Sequence, residues 1–451
     1  MKTLKNSSGY DASIKYFGGA EKQAKEMRDA ILNSPNTEDI YEIKGTKYYI
    51  KKDMSVDSIP EDLQPGDAVL FERGGLWRVQ CKEKLIIPEG VIFGAFGTGE
   101  KPKFYGSAYN YANNSLWEKH TENIWKKHMP SRNAGIVVFD EKYALGVKQW
   151  ALEDVKQNYD FYFDGPTDMF FMYYDGDLEK DFSSIEIGQR GDIITMNSNT
   201  VLDNVCIRYG ASHGVKMEHN VQNVAVTNCE IGFIGGSMQF DQVRFGNGVE
   251  LCLGAKNAVI KNNWVYECYD AGLTFQSWRS GKDTYYEGID MSENLIELCY
   301  YGIEFFTTCF ETSGLRSGYK DMKMCDNIIR FSGYTWCHEQ RPDKWMLSHI
   351  RGGQWAWVPE CENFKITGNI FDTARQYMIH WWWHGVDKNF IHPEPHVGLT
   401  VENNTYYQSL SNDKRCMLYH TNIPVEAQNY DELVAAVKLF DKNPKEIILL
   451  D

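Results

Sequence analysis

The sequence predicts an all-β chain wound into a right-handed parallel β-helix, a solenoid with terminal capping helices and an inserted β-rich subdomain. Three observations carry that expectation. First, short apolar runs recur in the second half with Asn at their turns: VTNCEI, IKNNWVYEC, MSENLIELC, MCDNIIRFS, ITGNIFDTA and VENNTYY. Matching Asn228, Asn263, Asn294, Asn327, Asn369 and Asn404 gives steps of 35, 31, 33, 42 and 35 residues. Second, the runs are rich in Val, Ile, Phe and Tyr and alternate with period two, which is strand patterning. Third, a helical repeat of this length would need longer stretches of period 3.6, and the sequence has none there.

Taken in order, residues 1–84 read as an N-terminal cap with an amphipathic helix over 20–34 (AEKQAKEMRDAILNS) and the first strands. The solenoid is expected over 85–420. Within it, 109–195 carries a charged, Trp-bearing loop followed by VVF and FYF strands, an insertion packed on the solenoid. Residues 421–451 supply a C-terminal capping helix, YDELVAAVKLF at 430–440, and a tail. Open solenoid ends expose strand edges and core, so helices are expected to cover them. Asn suits the turns because it tolerates the left-handed conformation and bonds through its amide. Stacked at the rung spacing of about 4.8 Å, those amides form a ladder with a structural role.

Composition bounds the function. The 451 residues hold 47 Lys and Arg against 62 Asp and Glu, a net charge of −15. Such acidity argues against nucleic acid and against an anionic membrane surface as partners. No run of 18 apolar residues is present to span a bilayer. The 11 cysteines are scattered, with no C-x-x-C pair, and several lie in apolar runs. They read as buried thiols of a cytoplasmic protein. Aromatic residues make up 14% of the chain, a surplus that sugar-stacking surfaces use.

Period two also sorts inward from outward side chains. In GVEL, Val249 and Leu251 point in and Glu250 out; in GLTF, Thr274 points out; in GIEF, Glu304 points out. GVKM adds Lys216 and MIHW adds His380. If these are one strand on successive rungs, Lys216, Glu250, Thr274, Glu304 and His380 form one column. Asp270 sits at the turn four residues before Thr274. A retaining glycosidase holds its carboxyls about 5–5.5 Å apart and an inverting one about 6.5–9.5 Å. Adjacent rungs therefore suit Asp270 with Glu304, while two rungs, about 9.6 Å, bring Glu250 and Glu304 near the inverting range.

Several stretches resemble right-handed β-helix carbohydrate-active enzymes of the pectate-lyase-like superfamily. LQPGDAVLFERGGLWR and GAFGTGEKPKFYGS resemble their N-terminal portion, and YDFYFDGPTDMFFMYYDGDLEKDFSSIEI their strand–turn–strand insertion. RFGNGVEL, YDAGLTF and YGIEFF are similar to the central rungs of β-helix glycosidases of the β-xylosidase type. That resemblance implies that Asp270 of YDAG is the nucleophile and Glu304 of YGIEFF the acid/base. Glu250 then completes the carboxylate set.

The expected substrate contacts are Lys216, Asp241, Gln276, Arg351, Trp355, His380 and Trp382. His380 and His384 in HWWWH would need a helix to share a metal, and HEQRP at 338–342 lacks a second His, so neither a metal nor a cofactor is expected. The resulting expectation is a glycosidase, retaining and exo-acting on a short oligosaccharide. Its partner is a carbohydrate, and a homo-oligomer is compatible with the pattern. The insertion and the loops at 277–290 and 307–320 would close one end of the groove. Two alternatives stand beside it. One is a polysaccharide lyase in which Lys216, His213, Arg244, Arg279 or Arg351 neutralises a uronate. The other is a non-catalytic glycan-binding protein.

Overall fold

A computed structural model describes residues 19–79, 85–130, 133–142, 144–277, 284–307, 317–337, 341, 347–354, 360–383, 398–410, 416–420 and 423–450. Three ten-stranded sheets run the length of the chain, and successive strands of each come from successive turns of the backbone. Among the described residues, pairing within these three sheets is parallel except where Cys416–His420 meets Ile423–Glu426. This is the right-handed parallel β-helix that the repeats predict.

The coil begins earlier than residue 85. Lys47–Ile50 and Ala68–Glu72 already stack in the first sheet, and Leu76–Arg78 in the third. The end of the core is covered there by Val56, Ile59 and Leu63. The helix Glu21–Leu32 lies elsewhere, along the outer flank of the third sheet. Its Ala24 and Ile31 cover Leu295, Ile328 and Tyr407, and Arg28 pairs with Glu297 at 2.7 Å. Leu295 and Ile328 point away from the core, and this helix takes them out of water. The second helix, Tyr430–Val437, does close an end, placing Leu433, Ala436 and Val437 on the core.

The Asn ladder is present, shifted by one residue at its first rung. The Nδ2 of Asn263 donates to Asn294 Oδ1 at 3.1 Å, and the contact repeats from Asn294 to Asn327, Asn369 and Asn404, ending on Asp441. All five are buried. Thr227 registers with Lys261, so Asn228 belongs with Asn262, and Cys229 occupies the ladder position. The two jobs expected of one Asn are divided between neighbours. The left-handed backbone falls on the residue before each rung: Asn228, Asn262, Glu293, Asp326, Gly368 and Asn403, with φ between 53° and 71°.

Gly214, Gly248, Gly272 and Gly302 stack in a second column, at the start of the strands of the second sheet. A Cβ on Gly248 would lie 2.5 Å from the carbonyl oxygen of Gly272. Backbones approach too closely there for any side chain, which is why the pattern Gly, apolar, polar, apolar recurs. Residues between Lys103–Tyr105 and Ile194–Met196 leave the coil and form three- and five-stranded sheets around a core of their own, which includes Phe161, Phe170 and Ile187.

Candidate active site

The second sheet carries the column that alternation predicts. Thr195 registers with Lys216, Lys216 with Glu250, Glu250 with Thr274, Thr274 with Glu304, Glu304 with Arg351, and Arg351 with His380. Val249, Leu251, Leu273, Phe275, Ile303 and Phe305 flank these residues and fill the core. The outward residues are not solvated, however. Glu250 and Glu304 are each only 3% exposed, and both line a cavity of about 640 Å³.

One wall of that cavity is the hairpin formed by Ser237–Phe240 and Val243–Phe245. The inserted subdomain braces it: Arg244 donates to the carbonyls of Gly236 and Gly135, and Asn133 accepts from the amide of Met238. At the hairpin tip Phe240 is 61% exposed and still lines the cavity mouth.

The three carboxylates are set differently. Asp270 leads into the strand Ala271–Gln276 and accepts a 2.8 Å hydrogen bond from Arg341, whose guanidinium lies 4.0 Å from the Tyr300 ring. Burial raises the Glu304 carboxyl to about 7; Arg351 opposes this, donating to Oε1 at 2.7 Å, and the Asp270 charge reinforces it. Asp270 opposes ionisation of Glu304 more strongly than Glu250 does. Burial would raise Glu250 as well. The His213 imidazole 2.7 Å away, Lys216 and the amide of Asn247 at 2.9 Å outweigh it and hold this carboxyl at about 2. The same pairing raises His213 against its own desolvation.

The other expected site residues fall as follows. Lys216, Gln276 and Arg351 line the cavity, with Lys216 paired to Glu218 at 2.5 Å. Asp241 does not line it: it occupies the left-handed turn of the hairpin, φ 47°, and is exposed to solvent. His380 is buried one rung beyond Arg351 and is not part of the cavity wall; burial, with Arg351 beside it, lowers its imidazole to about 3. Trp382 lies on the strand Tyr377–Trp383, its side chain outside the described residues. Trp355, Arg279, His384 and most of the two expected loops, at 278–283 and 308–316, also lie outside the described residues.

Sequence reasoning missed Arg341 and Asn247 and read His213 only as a cation for a uronate. Asn247 stands three residues before Glu250 in GNGVE, a spacing with a readable signal. Arg341 reaches Asp270 across 71 residues of chain, and nothing local marks it.

No family model and no curated protein matches the chain. Among solved structures it is similar to a protein titled "Glycoside hydrolase", 9% identical, covering 90% of this chain and 97% of that one, with a TM-score of 0.42. It is also similar to the GH136 lacto-N-biosidase from Eubacterium ramulus, at 10% identity, 83% and 67% coverage and TM-score 0.33. The Yersinia enterocolitica Family 28 exopolygalacturonase matches at 10% identity, 89% and 78% coverage and TM-score 0.33.

Proposed function

We propose that the protein is a retaining glycoside hydrolase acting from the chain end of a short oligosaccharide. The observation that carries this reading is Glu304: a buried carboxyl raised to about 7, facing a cavity beside a second carboxylate, Asp270. A carboxylic acid that keeps its proton near neutral pH is what protonation of a glycosidic oxygen needs. Asp270, on the rung before it, supplies the nucleophile. Its stronger opposition to Glu304's ionisation makes it the better partner at the short retaining distance than Glu250, two rungs away.

In the first step, Glu304 gives its proton to the leaving oxygen while an Asp270 oxygen bonds to the anomeric carbon. The C–O bond breaks and a glycosyl ester forms. In the second step, the Glu304 carboxylate takes a proton from water, whose oxygen displaces Asp270 and releases the sugar. Glu250, kept ionised by His213 and Lys216, accepts a hydrogen bond from a sugar hydroxyl. Arg351 stabilises Glu304 in its ionised half of the cycle. The hairpin braced by the insertion walls the cavity, and a walled pocket over the two carboxyls suits exo-action on small substrates.

Release of a monosaccharide from a panel of aryl glycosides and oligosaccharides tests the reading. A second reading has one observation in its favour: Arg190, Lys216 and Arg351 line the same cavity and suit a uronate. Appearance of the ultraviolet absorbance of an unsaturated uronate with alginate or pectin, and no turnover of any glycoside, would replace hydrolysis by lyase chemistry.

A further inference from the structure

Thr274 stands in register between Glu250 on one side and Glu304 on the other. It is 0% exposed, and among the described residues its Oγ1 has no hydrogen-bond partner. A buried hydroxyl without a partner is costly, since it gives up its bonds to water and gains nothing in return. The charged residues nearest it in the column are engaged: Lys216 with Glu218, Glu250 with His213, Glu304 with Arg351. Parallel strands about 4.8 Å apart put same-face side chains within reach of one another after a rotamer change. Arg351 donates to Oε1 of Glu304 from the following rung, and Thr274 stands on the opposite side of that carboxyl.

We propose that Thr274 is a positioning residue: its hydroxyl donates to the Glu304 carboxylate whenever that group has given up its proton, and holds it aligned to take one back from water. The catalytic meaning of this rests on the glycosidase reading; the hydrogen bond itself does not. Idle in the acid form, the hydroxyl is engaged in the base form, which explains why an unpartnered donor is kept at this position. A bond that favours the ionised form lowers a carboxyl's pKa, and removal lets it rise. The other charges facing Glu304 are Arg351 on the following strand, Asp270 and Glu250 on the preceding rungs, and Arg341. None of them is altered by a change at Thr274.

The test compares Thr274→Val with Thr274→Ser in substrate-free protein. The titration of Glu304 is read from the infrared carboxyl band that Glu304→Gln abolishes. Thr274→Val is expected to move that titration up by about one pH unit, the worth of one hydrogen bond to a charged group, and Thr274→Ser to restore it. If glycosides are turned over, the same shift appears in the pH profile of kcat/KM. If none is turned over but the band shifts, the positioning role stands and the glycosidase reading fails. An unmoved or downward-shifted titration with Thr274→Val, or a failure of Ser to restore it, overturns the proposal. Should Thr274→Val not fold, Thr274→Ala is read by the same criteria.

Discussion

Glu250 and Glu304 stand on one column, two rungs apart and in register through Thr274, yet one is held at about 2 and the other raised to about 7. Both are equally buried, so burial does not separate them. The partners do. Glu250 has an imidazole, a lysine and an amide that together outweigh its burial; Glu304 has Arg351 and Arg341, but the charges of Asp270 and Glu250 work against them and burial prevails. Environments of this kind let one carboxyl of a site keep its proton near neutral pH while its neighbour stays ionised.

The acid role predicts a leaving-group dependence. Glu304→Gln is expected to slow glycosides with poor leaving groups by orders of magnitude, and activated aryl glycosides far less in the first step, because only the former need protonation. Steady-state and burst kinetics across a leaving-group series measure it. Equal losses across the series would remove Glu304 from that role.

The raised carboxyl also predicts how stability varies with pH. Glu304 binds its proton more tightly folded than unfolded, so its contribution is full below about 4.5 and is lost as pH rises through about 7. Glu304→Gln, which never ionises, should gain on the parent protein across that window by roughly 1–3 kcal/mol. Chemical denaturation at pH 4.5 and pH 8 gives the comparison.

Glu250 predicts the opposite. Its lowered pKa contributes stability above the ordinary carboxylate range that is lost as pH falls toward about 2. Glu250→Gln leaves His213 and Lys216 facing a neutral group and is expected to cost roughly 3–5 kcal/mol at pH 7. The Tm difference from the parent protein should narrow on acidification.

Much of this molecule is legible in its sequence, and the limits are physical. Gly-Val-Lys-Met, Gly-Val-Glu-Leu, Gly-Leu-Thr-Phe and Gly-Ile-Glu-Phe announce the column because a glycine contact and period two recur at these four rungs. The ladder is legible to within one residue, and Cys229 hid the true register by standing where Asn does on later rungs. Outwardness is readable, and Tyr301, Phe305 and Phe306 around Glu304 in YGIEFF mark that carboxyl as desolvated, but nothing local marks the burial of Glu250. What covers Glu304 is a hairpin and a loop arginine from distant segments, and no local pattern encodes their arrival. The flanking place of the first helix was hidden for the same reason: amphipathicity says that a face is covered, not what covers it.

The division of labour within each turn is separately testable. Asn294→Ala removes a ladder amide and strands the donors of Asn263, so a loss of roughly 2–4 kcal/mol is expected. Asn262→Gly, at the left-handed position beside that ladder, should change stability by about 0.5 kcal/mol or less, since glycine adopts φ 54° freely. Denaturant midpoints of the two variants decide it.

The central claim is that Asp270 and Glu304 form the reacting pair. It is tested most directly by proton NMR of the first-formed sugar, recorded before mutarotation, with any glycoside the protein cleaves. Retention of the anomeric configuration is the predicted result, accompanied by loss of all turnover in Asp270→Asn. Inversion, with Asp270→Asn still active and Glu250→Gln inactive, would contradict it and assign the chemistry to Glu250 and Glu304.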